Sequence, residues 1–274
     1  MNSESLGSDL RGGLQRCLFA GTNPAGIGPA ILVFVGLVII NLVLQLVLTI
    51  VFQLFFFEID FEDTRQLTKA AICGLFPAGL AIFYLSWQLA KWRGGDPWGV
   101  LNLRKPDFGR YGWPLVVAGF IVAMYAFLIL AVTVFNIDVA QYTPGPDGQS
   151  PETGSAGDVK EAMFDIANEP LIFLLALPGV AIGAPLAEEA IFRGQIFTAL
   201  ARTRLGFSGT SVLTSLAWSL MHMTEPWFSI IMIFFMGLIF GWMLYRFGSL
   251  WVTIICHGAW NLGFALIIFT TLQP

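Results

Sequence analysis

Seven stretches of the chain run with almost no Asp, Glu, Lys or Arg, at about 30–57, 70–90, 113–136, 170–200, 208–223, 227–245 and 249–272. Each is longer than a barrel strand, and about 20 apolar residues in a helix cross the roughly 30 Å of hydrocarbon in a bilayer. A segment in lipid must satisfy its own backbone hydrogen bonds, so these stretches predict helices. The fold class is therefore all-α, a polytopic transmembrane helical bundle of about seven helices. The fourth stretch differs, being too long for one straight span and carrying Pro185 just before an acidic pair. Proline removes an i→i−4 bond and kinks or breaks a helix. This stretch reads as kinked, as extending past the membrane, or as two pieces that would make an eighth crossing.

Between the runs lie short polar connectors. "TPGPDGQSPETGSAGD" predicts a flexible loop from its Pro, Gly and Ser content, and "DVKEAMFDIAN" repeats Val159, Ala162, Met163 and Ile166 at helical spacing, predicting a short interfacial helix. No internal repeat or separate soluble domain is visible, so residues 1–274 read as a single integral membrane domain. Composition agrees: 56% of residues are hydrophobic and 12% charged, with a mean hydropathy of +0.75. Residues 1–25 show no secretory signal peptide, which makes the first span the expected anchor.

Charge adds an orientation. With the N-terminus cytoplasmic, the inner segments hold Arg11, Arg16, Lys91, Arg93, Arg104, Lys105, Arg110, Arg202, Arg204 and Arg246, against Arg65, Lys69 and Lys160 outside. That asymmetry favours a cytoplasmic N-terminus and an outer C-terminus, in the pattern of a bacterial inner-membrane protein. The net charge of −4 comes mostly from acidic residues in the connectors around 58–63 and 138–169, and no nucleic-acid footprint is present. Cys17, Cys73 and Cys256 are scattered, without metal-type pairing or a disulfide framework.

Three polar constellations interrupt the apolar runs. In "LAEEAIFRG" two carboxylates and an arginine fall inside a predicted span, where a charge is costly and marks a functional site by default. Glu189 and Arg193, four apart, share a helical face and can pair, while Glu188 is rotated by about 100° and is left free for chemistry. The competing reading is an ion pair that only fixes packing. In "WSLMH", Trp218 and His222 are four apart at the end of the fifth run; alone, that pair reads more simply as a packed aromatic and an anchored histidine. In "CHGAWN", His257 and Asn261 are again four apart and could donate together to one oxyanion, or serve as glue between helices. Counting the rise from the basic connectors places Glu188, His222 and His257 within the hydrocarbon zone. "GLIFG", Gly237 to Gly241, offers a close-approach face for packing inside the monomer, with a homodimer surface as the lesser alternative.

These three motifs, in this order, resemble the CAAX protease and bacteriocin-processing (CPBP, or Abi) family of intramembrane glutamate proteases, which includes the Ras-converting CAAX endopeptidases. The family pattern is Glu-Glu-x-x-x-Arg, then Phe-x-x-x-His, then His-x-x-x-Asn or Asp. The resemblance covers about residues 170–265 and departs at Trp218, where the family commonly has Phe. It implies an endopeptidase that hydrolyses a peptide bond of a membrane-associated protein or peptide, lipidated or not. The same resemblance assigns Glu188 as general base and His222 as orienter of the attacking water. His257 and Asn261 would stabilise the oxyanion, with Glu189, Arg193 and Trp218 in support. It also implies no cofactor and no bound metal.

Other chemistries stay open from the residues themselves. Two histidines and a carboxylate can form a zinc site, although no His-Glu-x-x-His element is present. A thiol mechanism ranks lower, because Cys256 and His257 are neighbours on a helix and point about 100° apart. Buried Glu, His and Arg could instead relay protons through a transporter, or the fold could serve as a non-catalytic membrane immunity protein or adaptor.

Overall fold

The computed structural model describes residues 27–57, 60–92, 95–106, 108, 112–137 and 155–271. Arg11, Arg16, Arg93, Arg110, Cys17 and most of the expected loop after Tyr142 lie outside the described residues. The described chain forms α1 (Ile27–Phe56), α2 (Thr64–Trp92), α3 (Pro97–Val100), α4 (Gly112–Phe135), α5 (Ser155–Asn168), α6 (Pro170–Leu200), α7 (Gly206–Leu220), α8 (Trp227–Phe247) and α9 (Leu250–Thr271). It contains no strand among the described residues. Six of these helices, α1, α2, α4, α6, α8 and α9, are long and apolar enough to cross a membrane. The protein is an all-α integral membrane bundle.

The fifth run forms a helix shorter than the six candidate spans. Its helix, α7, has 15 residues and ends at Leu220, where the chain enters a turn. At 1.5 Å per residue that is only about 22 Å. Even so, α7 lies antiparallel beside α8, with Ser211 against Gly241 and Ser215 against Gly237, and the Phe207 and Tyr245 rings meet at 5.0 Å. The "GLIFG" face is thus used inside the monomer. Gly248, at φ 63°, ends α8 by giving its N–H to the Leu244 carbonyl; a left-handed backbone favours glycine.

The fourth run is one uninterrupted helix rather than two pieces, so no eighth crossing arises there. Pro185 lies between two π-helical segments in which the hydrogen-bond register widens, Gly179–Gly183 and Ala190–Ile196. Single π turns recur at functional sites. The first is held by close backbone approach: an added Cβ at Gly79 of α2 would strike the Gly183 backbone, and one at Gly258 of α9 would strike the Ala181 carbonyl.

The basic connectors gather at one end of the bundle. Leu250 N–H donates to the Asn102 carbonyl at 2.8 Å, and Ser249 Oγ donates to the Arg104 carbonyl at 2.6 Å. At the other end the start of α2 is tied to α5 through Arg65 and Asp165 at 2.6 Å and to Glu169, just after α5, through Lys69 at 2.8 Å. Beside them Asp63 caps α2; the Gln66 and Arg65 backbone N–H groups hold its carboxyl below the usual range. The expected short helix is therefore present, with Ala162 and Ile166 buried. Toward lipid, α1 exposes residues such as Leu32 and Leu46.

Candidate active site

The acidic pair lies between the two π segments of α6, and the structure treats its members differently. Glu189 is fully buried and accepts a hydrogen bond from Arg193 Nη1 at 3.0 Å. The same oxygen, Oε1, lies 3.3 Å from His257 Nδ1. A carboxylate only accepts, so Nδ1 is the protonated nitrogen of that contact. Glu188, one residue earlier, is only half-buried and takes a 2.6 Å hydrogen bond from Trp218 Nε1 on α7.

Trp218 joins these groups. It is 1% exposed, and the Arg193 guanidinium lies over its ring at 4.2 Å from the centroid. The His222 and His257 rings stand at 5.7 and 5.3 Å from it, both edge-on. His222 itself is in the turn after α7, a correction to the expectation that it shares a helical face with Trp218. Its Nδ1 still reaches back to the Trp218 carbonyl at 3.0 Å. A carbonyl cannot donate, so Nδ1 carries the proton and Nε2 keeps its lone pair.

His257 and Asn261 each hold a partner of their own within the protein. His257 turns to Glu189, and Asn261 Nδ2 donates to the Val180 carbonyl at 3.1 Å. The second bond follows from Pro185. In the π register Ala184 N–H pairs with the Gly179 carbonyl, so the next carbonyl, Val180, faces residue 185, which has no N–H. Asn261 supplies the missing donor and retains a second amide hydrogen for another partner.

Two further residues belong to the cluster. Phe240 of α8 is buried between the Trp218 ring at 6.0 Å and the His257 ring at 5.5 Å. Gly237, one turn away, leaves room for Arg193: an added Cβ would sit 2.9 Å from Nη2 and 2.7 Å from Ser215 Oγ. The glycine motif was legible as packing, but its contact with the arginine was not. Among the described residues no three His, Cys, Asp or Glu side chains are grouped to hold a metal ion.

Residues 170–263, which include every motif residue from Glu188 to Asn261, match the family model described as Type II CAAX prenyl endopeptidase Rce1-like. Over this segment the protein is similar to the Rce1-like endopeptidases. The segment comprises α6, α7, α8 and most of α9, whereas α1, α2 and α4 lie outside the match. No curated protein and no solved structure matches the chain.

Proposed function

We propose that the protein is an intramembrane endopeptidase in which Glu188 activates water against a peptide bond of a membrane-associated protein or peptide. The observation that carries this reading is the division of the acidic pair. One carboxylate is locked into an ion pair, and its neighbour is half-open and oriented by an indole N–H. A buried brace needs only the first; a general base within reach of a substrate needs the second.

In this reading Glu188 takes a proton from water as the water oxygen bonds to the scissile carbonyl carbon. His222 Nε2, left with a lone pair, accepts the water's other hydrogen and fixes its direction. The oxyanion is met by the remaining Asn261 amide hydrogen and by His257 Nε2 when that nitrogen is protonated, with Glu189 balancing the imidazolium. Glu188 then passes its proton to the leaving nitrogen, and the C–N bond breaks to give a carboxyl group and an amine.

The test compares wild type and Glu188→Gln on quenched-fluorescence peptides, with and without an S-prenylated cysteine, in detergent and in liposomes. Chelator-resistant cleavage by the wild type alone is expected, with both proteins equally stable. Cleavage by Glu188→Gln, or loss of wild-type cleavage on chelation, would overturn the glutamate mechanism. Proton-coupled flux in place of cleavage would identify a transporter.

A further inference from the structure

We infer that Trp218 is a positioning residue for Glu188, acting through its indole N–H. The bond is short, 2.6 Å, and its donor sits on a side chain that cannot move freely. The ring is 1% exposed, with the Arg193 guanidinium on it and Phe240 and both histidines around it. Glu188 lies on α6 and Trp218 on α7, so this hydrogen bond crosses between helices and fixes which way the half-open carboxylate points. A carboxylate on a helix facing a polar site has several staggered rotamers; a charge-assisted donor in a packed wall selects one. Phenylalanine, the residue that the resembling family commonly carries here, could keep the guanidinium on its ring and the aromatic packing, but it has no N–H to offer. Trp218 therefore combines two functions at one position, and Trp218→Phe removes only the hydrogen bond.

The inference rests on the protease reading for its kinetic test alone, because the hydrogen bond itself can be observed without turnover. The full-length protein, labelled with ¹⁵N-tryptophan in nanodiscs, shows indole resonances for its nine tryptophans, and Trp218→Phe identifies the one that belongs to Trp218. That resonance is expected at low field and is expected to move upfield in Glu188→Gln, where a neutral amide replaces the carboxylate acceptor. On a quenched-fluorescence peptide that the wild type cleaves, Trp218→Phe is expected to lower kcat by about tenfold with KM unchanged, the scale of one charge-assisted hydrogen bond. An indole resonance indifferent to Glu188→Gln would overturn the inference, as would wild-type kcat in Trp218→Phe. If the wild type cleaves none of the peptides, the protease reading is what fails, and the resonance still decides the hydrogen bond.

Discussion

At the scale of single residues, the site is built from polar groups that each hold a position through a named partner. Arg193 is the clearest case, because removing it leaves Glu189 as a buried carboxylate without its main partner. Breaking such a pair from one side costs about 3–5 kcal/mol, whereas replacing both partners by apolar groups is far less costly. Arg193→Met is therefore expected to lower the thermal midpoint in detergent sharply. Glu189→Leu combined with Arg193→Met should recover much of the loss, and equal damage in the single and double variants would contradict the pairing. Asn261 makes a second separable case. The family pattern allows Asn or Asp at this position, but here the side chain must donate to the Val180 carbonyl, and an ionised aspartate cannot. Asn261→Asp is expected to cost about 1–3 kcal/mol and to raise hydrogen exchange across 179–186; unchanged exchange there would contradict the clamp. The identity of these residues was legible because ionisable groups in apolar runs are conspicuous. Their partners were less so: the acceptor for Asn261 is a backbone carbonyl, freed by a change of helical register that no side chain announces.

At the scale of elements, the geometry depends on how closely neighbouring helices approach. On α8, Gly237 and Gly241 meet Ser215 and Ser211 of α7, and this contact carries Trp218 to Glu188 and leaves space for the Arg193 guanidinium. Gly237→Ala places a methyl group 2.7 Å from Ser215 Oγ and 2.9 Å from Arg193 Nη2, an overpacking expected to cost about 1–3 kcal/mol. Cleavage by Gly237→Ala should fall more than its detergent stability suggests, since the displaced arginine lies on the ring that holds Glu188. A methyl group tolerated without loss of activity would show that the two helices can separate freely. Hydropathy located the helices well because membrane thickness sets their length, and the run at 113–136 became Gly112–Phe135. It did not reveal that the run at 208–223 stops being helical at Leu220, since Met221 and the residues before it are equally apolar. Nor did it show how Pro185 would be accommodated, because a kink, a break and a π segment share the same sequence signal.

At the scale of the whole molecule, the path of α7 relative to the membrane decides on which side the ends lie. Six crossings return the chain to its starting side and seven do not. The length of α7 argues for six, but its packing argues for seven. Phe207 near its start meets Tyr245 near the end of α8, and the residues after α7 lead directly into the start of α8 at Trp227. If α8 crosses, the segment from Gly206 to Pro226 must cross in the opposite sense, with the turn around His222 completing the distance that α7 leaves. The connectors containing Arg104 and Ser249 share one end through their hydrogen bonds, which concentrates basic residues there and marks it as the expected cytoplasmic side. Single cysteines can test this, since Cys73 and Cys256 are buried and Cys17 can be replaced by serine. With a membrane-impermeant maleimide on intact cells, Thr224→Cys is expected to label, while Arg204→Cys and Lys105→Cys should label only after permeabilisation. Labelling of Arg204→Cys and Thr224→Cys from the same side would show that α7 turns back within the membrane. The count would then be six, and His222 would face the same side as the basic connectors.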